Sequence, residues 1–224
     1  MAVVARSRAG VWRTSSSSGS KPVHTLPVEC LFDFSSNNAY FAAHMVRALC
    51  ERLKVPLRWM PFNLGAIFKS TGFSIGYTQA AGPQNEALCN RMRYLAEDHR
   101  RWAKRLGLPF NHPRVPLFPT SSKKALRCSI AARAHGKEEH WIFAVYDAYW
   151  VHNRDVAEVD VLEDIADELG MDARRLLEEQ DSPAVREMLI GAGSEGLERG
   201  VFGSPTFFYG GEMFWGKDRL TFLE

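Results

Sequence analysis

The sequence contains no Cys-x-x-Cys pair, and its four cysteines, Cys30, Cys50, Cys89 and Cys128, lie far apart. That spacing excludes a cycling dithiol and a zinc-type ligand set; it fits small buried hydrophobes in a reducing compartment. The seven histidines include no His-Glu-x-x-His. His135 and His140 are five residues apart, which puts the rings on different helix faces, so no metal is expected. No apolar run approaches the roughly 20 residues that span a bilayer. The formal net charge is only +2, with basic residues scattered among acidic ones, which gives no case for nucleic acid as a partner. One absence is local: residues 1–25 hold Arg6, Arg8, Arg13 and Lys21 but no acidic residue, and include the run SSSSGS. This composition reads as a disordered tail or as a mitochondrial transit segment, while a secretory signal would need an apolar stretch that is missing. A cytoplasmic protein is expected, or a mitochondrial one if residues 1–25 are a transit peptide.

What is present is an ordinary globular composition, 46% hydrophobic and 24% charged over 224 residues, enough for a core domain carrying an insertion. VECLFDF (28–34) reads as a buried strand, residues 38–53 as a helix and VPLRWMPF (55–62) as a second strand. Together they make a parallel βαβ unit. From about residue 64 to 199 the pattern is helical. NEALCNRMRYLAEDHRRWAKRLG carries an apolar stripe of Leu88, Met92, Leu95, Trp102 and Leu106, stopped by Gly107 and Pro109. SSKKALRCSIAARAH and HWIFAVYDAYWVH predict two more helices, the second buried on several sides. Asp160 and Glu163 have capping-box spacing, and Ser182 with Pro183 is a cap followed by a first-turn proline. Gly191, Gly193 and Gly196 satisfy G-x-G-x-x-G, but here a helix precedes and a strand follows, the reverse of the dinucleotide-binding order. They are expected in a loop or a loosened helix end. TFFYGGEMFW then predicts a hairpin turning at Gly210 and Gly211, and GKDRLTFLE the start of a final helix. The expected fold is α/β: a thioredoxin-like βαβ…ββα domain (26–63 and 200–224), interrupted by a large all-helical insertion domain (64–199) and preceded by the tail 1–25.

The stretch FDFSSNNAYF (32–41) puts two serines and two asparagines between the first strand and the first helix. Any one of Ser35, Ser36, Asn37 and Asn38 could cap the helix, accepting a hydrogen bond from one of its four orphan N–H groups. The same geometry has a chemical use. A helix N-terminus carries about half a positive charge and favours an anion or a thiolate set against it.

Four segments resemble, in the same order, those of a known family: FDFSS near the start, NLGAIFKSTG (63–72), DHRRWAKRLGLPF (98–110) and GVFGSPTFFYGGEMFWGKDRLTFLE (200–224). They look like the 2-hydroxychromene-2-carboxylate isomerases, which with the kappa class glutathione transferases belong to the DsbA-like branch of the thioredoxin superfamily. The resemblance covers about residues 28–224. It implies glutathione as cofactor and a homodimeric assembly. It also implies a catalytic role for Ser36, which stands where the disulfide oxidoreductases begin Cys-x-x-Cys and where the glutathione-using relatives carry a serine that donates to the thiolate. Ser204 and Pro205 fall at the cis-proline loop, whose backbone pairs with the cysteinyl part of glutathione in relatives. Lys217 and Asp218 match the position that holds the γ-glutamyl end. Arg91 stands where relatives carry a lysine that meets the glycyl carboxylate, and arginine keeps that charge.

The chain departs from the family pattern in places. Relatives follow the serine with proline and tyrosine, where this sequence has Asn37 and Asn38, and they carry an asparagine of the glutathione site where it has Phe73. The resemblance implies glutathione-dependent cis-trans isomerisation of a small aromatic carboxylate. Lys69 would hold the substrate carboxylate, with Phe68, Phe73 and Tyr77 covering the ring. A kappa-like glutathione transferase and a non-catalytic thiol-binding paralogue are the alternatives.

Overall fold

The computed structural model describes residues 26–72, 86–113, 117–118 and 120–224. Strand β1 (Val28–Phe32) runs parallel to β2 (Leu57–Pro61), and α1 (Asn37–Leu53) makes the crossover between them. β3 (Thr206–Tyr209) pairs antiparallel with β1 and β4 (Glu212–Trp215) antiparallel with β3, giving the strand order β2-β1-β3-β4. The β3–β4 turn falls on Gly210 and Gly211, at φ 60° and 90°, left-handed values that only glycine accepts readily in succession. Between β2 and β3 lie α2 (Leu64–Thr71), α3 (Glu86–Leu106), α4 (Lys123–Ala134), α5 (Glu138–Trp150), α6 (Val159–Glu168), α7 (Ala173–Asp181) and α8 (Pro183–Glu198). This is the thioredoxin-like βαβ…ββα arrangement with a helical insertion.

Period-two alternation along β1 divides the core between the two sheet faces. Val28, Cys30 and Phe32 join the larger cluster with Tyr40, Phe41 and Val46 of α1, whereas Leu31 joins Met60, Phe62, Ile67, Val201 and Phe208 in a smaller one. The larger cluster is not confined to the sheet and α1. Helix α5 buries Trp141, Ile142, Val145, Tyr146, Tyr149 and Trp150, and Tyr146 meets Phe34 edge-on at 5.0 Å. The Trp150 indole donates to the Phe34 carbonyl at 2.9 Å and the Trp141 indole to the Ala125 carbonyl at 3.1 Å, so both buried N–H groups have partners. Insertion and sheet therefore share one hydrophobic core.

Several local expectations are corrected. Among the described residues α3 reaches the core through Trp102, Ala103 and Leu106, with buried His99 beside them; Met92 is 37% exposed and Cys89 is exposed, unlike the other three cysteines. Asp160 does not cap α6. The cap position is Glu158, and Asp160 sits in the first turn, where an acid is favoured by the helix dipole. Helix α8 runs unbroken through Gly191, Gly193 and Gly196 and ends only before Gly200, at φ 84°. His135 ends α4 and bonds Glu179 at 2.6 Å, so it shares no helix with His140. The final segment is a six-residue 3₁₀ helix, Lys217–Phe222, not an α-helix.

Candidate active site

The site grows from the C-terminal end of β1. Ser36 takes an extended conformation (φ −96°, ψ 113°) and is the cap of α1: its Oγ accepts from the Ala39 N–H at 3.2 Å. The hydroxyl proton goes elsewhere, to the Ser204 carbonyl at 2.8 Å. Ser204 precedes Pro205 across a cis peptide bond, and its own Oγ accepts from the Asp33 N–H at 3.0 Å. Two hydrogen bonds thus clasp the β1–α1 turn to the loop before β3. Both serines are only 9% exposed. Capping and contact with the cis-proline loop are therefore carried by one hydroxyl, and of the four polar residues in the run it is Ser36 that caps.

Asp33 organises the ground beneath this clasp, and the sequence reading passed over it. It is fully buried. Oδ1 accepts from the Ser35 N–H at 2.8 Å, the Ser35 hydroxyl at 2.8 Å and the Ser122 hydroxyl at 2.5 Å, while Oδ2 accepts from the Leu64 N–H at 2.7 Å. One carboxylate so ties together the starts of α1, α2 and α4. Burial raises its pKa, and the bonds from Ser122, Ser35 and Leu64 act against that rise. The available signal was an acid flanked by two phenylalanines at the end of an apolar strand, an expensive placement unless every lone pair is used.

Lys217 is buried, and its ammonium donates to Asn38 Oδ1 at 2.6 Å, lies 3.8 Å from Asp98 Oδ2 and sits over the Trp102 ring at 4.9 Å. Burial lowers its pKa while Asp98 and Asp218 oppose the fall. Asn38, a departure from the family pattern, is thereby the partner of the cation that the 3₁₀ helix brings to the first turn of α1. Asp218 is exposed and paired with Arg219 at 2.7 Å. Beside Lys217, burial pushes His99 down to about 4.

The structure thus brings Ser36, Ser204, Pro205 and Lys217 to one place, with Asp218 adjoining. Arg91 lies in the exposed half of α3 and Lys69 on the exposed side of α2, while Phe68 packs partly buried against the smaller core cluster. Phe73 and Tyr77 lie outside the described residues. Two aromatic residues next to the clasp escaped the sequence reading. Trp215 and Phe202, about half exposed, meet at 4.9 Å, and a Cβ added at Gly203 would stand 2.4 Å from Trp215 Nε1. Gly203 is the residue that lets the indole lie against the chain just before Ser204.

Chemically the arrangement offers a helix N-terminus without an acidic residue in its first turn, a hydroxyl at its cap and a buried ammonium on its second residue. That combination suits an anion. It carries no cysteine for disulfide exchange at this position. Among the described residues no group of three His, Cys, Asp or Glu could hold a metal, and no helix is long and apolar enough to cross a membrane.

Comparison with known proteins agrees with this geometry. The chain is 28% identical over 200 residues to a 2-hydroxychromene-2-carboxylate isomerase of Sphingobium xenophagum, covering 89% of this chain and 97% of that protein. It is 29% identical over 202 residues to one of Pseudomonas putida, covering 88% and 92%. A solved structure of a 2-hydroxychromene-2-carboxylate isomerase superposes with a TM-score of 0.74 at 26% identity, over 88% of this chain and 92% of that one. The family model of the DSBA-like thioredoxin domain matches residues 27–224, nearly the whole described chain, and the protein belongs to that family.

Proposed function

We propose that this protein is a glutathione-dependent cis-trans isomerase of an aromatic carboxylate, working at the junction of Ser36 and Ser204. The observation that carries the reading is the Ser36 hydroxyl, which caps α1 where the oxidoreductases of this fold place a cysteine, and which bonds the carbonyl before Pro205. The isomerase half of the reading is supported by relatives named 2-hydroxychromene-2-carboxylate isomerase. When bound, glutathione supplies a thiol that adds to the conjugated double bond, lets it rotate as a single bond, and leaves.

The residues present fit such a thiol. Ser36 would hold a sulfur anion set against the start of α1 by turning its hydroxyl about Cβ–Oγ, so that the O–H now bonded to the Ser204 carbonyl would donate to the sulfur instead. The exchange is favourable, because a hydrogen bond to a charged partner contributes about 1.5–3 kcal/mol against roughly 0.5–1.5 for a neutral one. The α1 dipole adds to this, and so does the Lys217 ammonium held on Asn38. Release of the carbonyl leaves Ser204 free to pair its backbone with an extended peptide. Asp218 offers a carboxylate to an ammonium group, and Arg91 and Lys69 offer cations to carboxylates. Phe202 and Trp215 present exposed ring faces beside Ser204 to an aromatic substrate.

Calorimetric titration with glutathione, followed by incubation with 2-hydroxychromene-2-carboxylate, tests this. Binding at or below millimolar thiol, with the double-bond isomer formed and no conjugate accumulating, is the expected result. A stable thioether product would instead make the protein a transferase. An absence of heat at millimolar glutathione would end both enzymatic readings.

A further inference from the structure

A second cavity shares none of its lining residues with this clasp. A cleft of about 410 Å³ opens between α2, the start of α4 and α8, within the size range of small-molecule sites. Its floor is apolar, from Ile67, Leu189, Ile190 and Leu197. Its remaining charged lining is cationic: Lys123 and Arg127, one turn apart on α4, and Arg186 on α8. Asp181 is the acid that faces them, 3.3 Å from Arg127 and 2.6 Å from Arg186; three cations less one acid leave +2 at the cleft. Helix α8 also packs Gly196 against Leu31, on the sheet face opposite the one that carries α1 and Ser36.

Two observations make the charge more than a solvated fringe. The Arg127 side chain is only 11% exposed, and among the described residues its buried Nε–H has no hydrogen-bond partner. A buried guanidinium N–H left unpaired is costly, and a side-chain rotation that opens it to the cleft would let an anionic oxygen satisfy it. The cap residue of α4, Ser122, makes no side-chain bond to its own helix: its backbone is helical (φ −79°, ψ −2°) rather than extended, and its hydroxyl points to Asp33. The first-turn N–H groups of α4 therefore add their partial charge to that of Lys123 and Arg127.

We infer that this cleft binds a small amphipathic carboxylate, its head group between Arg127 and Arg186 and its hydrocarbon body on Ile67, Leu189, Ile190 and Leu197. Arginine pairs a carboxylate in two-point fashion, and the apolar floor excludes a purely hydrophilic anion such as free phosphate as the matched ligand. The inference does not depend on the reaction proposed for Ser36.

Calorimetry of the full chain with 2-naphthoate and with decanoate as probes tests it, with decanol as the uncharged control. One equivalent of each acid is expected to bind, with decanol at least tenfold weaker and millimolar glutathione not competing. Arg186→Gln, a change at an exposed position, should weaken both acids at least tenfold. Gly193→Leu fills the cleft from α8, where an added Cβ meets no atom within 4 Å. It should abolish binding while raising the melting temperature, since leucine is the better helix former. No binding of either acid at millimolar concentration would overturn the inference. So would binding that both variants leave unchanged, or competition by glutathione, which would place the probes at Ser36. Sedimentation decides the remaining rival: if Ile190→Glu turns a dimer into a monomer, the cleft is a subunit interface and the inference fails.

Discussion

Ser36 and Ser204 are locked reciprocally into the two edges of one seam: the Ser36 hydroxyl donates to the Ser204 carbonyl, and the Ser204 hydroxyl accepts the N–H of Asp33, three residues before Ser36. The cap of α1 and the cis-proline loop are thus one mechanical unit. A change at either serine has to be read in stability and in chemistry together.

Replacing Ser36 with alanine removes both roles. The lost cap should cost about 1 kcal/mol of stability, measured by urea unfolding. Turnover should fall further, roughly tenfold to a hundredfold, for a lost bond to a thiolate of about 1.5–3 kcal/mol. Glutathione affinity should change less than turnover. If the ultraviolet thiolate titration of the bound thiol is the same in wild type and variant, Ser36 is a cap and nothing more.

Asp33→Asn should be among the most damaging single changes. The amide keeps one acceptor oxygen where the carboxylate serves four donors, and it turns an N–H group toward one of them. A loss of about 3 kcal/mol or more is expected from stranded buried donors. Because burial raises the Asp33 pKa, the folded state holds this proton more tightly than the unfolded chain. Its contribution is therefore largest in acid and declines as pH rises through the folded value. Comparing the unfolding free energies of wild type and variant between pH 4 and 7 isolates that slope.

Three histidines work in the opposite direction. Burial pushes His44 and His99 down to about 4, from an ordinary value of 6.5, and lowers His112 as well. A depressed histidine favours folding above 6.5, and that contribution drains away as pH falls toward 4, when the unfolded chain takes up protons that the folded one refuses. The melting temperature should drop on going from pH 7.5 to 5. His99 stacks near Phe41 at 6.2 Å and meets Phe110 at 5.6 Å, so His99→Phe should keep the packing and make the profile shallower, with His44 and His112 supplying the rest. A variant with the wild-type profile would remove His99 from this account.

Gly203 and Trp215 should behave as a coupled pair. Gly203→Ala forces the indole away, because its Cβ would fall 2.4 Å from Nε1. The single change should lower stability by about 1–3 kcal/mol. In the background of Trp215→Ala the same substitution should be nearly neutral, a non-additivity readable in a four-protein thermal unfolding cycle. Additive effects would mean that the indole and the loop are independent.

The sequence carried most of the fold, because the strand runs, the Gly210–Gly211 turn and the Ser182–Pro183 start are written in local chemistry. That Ser36, Ser204 and Pro205 meet was legible through the order of four family-like segments, and that Lys217 adjoins them through its place at the start of the last helical turn. Asp33 was not, since its worth lies in Leu64 and Ser122, partners 31 and 89 residues away that no local pattern announces. Asn38 stood only as a departure from the family pattern, because its partner Lys217 lies 179 residues away. The glycines of α8 were misread for the opposite reason. Local propensity argued for a loop, and packing of Gly196 against Leu31 and Val201 held the helix instead.

The seam between Ser36 and Ser204 joins residues 168 positions apart in the chain. Contacts of such separation are assembled late, after the entropy of closing the intervening loop has been met. During synthesis the cap of α1 is made long before the carbonyl that receives its proton, so the nascent chain has half a site until its final strands arrive. Under the proposed reading no fragment that ends within α8 can carry the chemistry. Activity at this seam would accordingly report on the completeness of the whole polypeptide, and a chain interrupted late in translation or nicked before β3 would be silent even with β1, α1 and β2 in place.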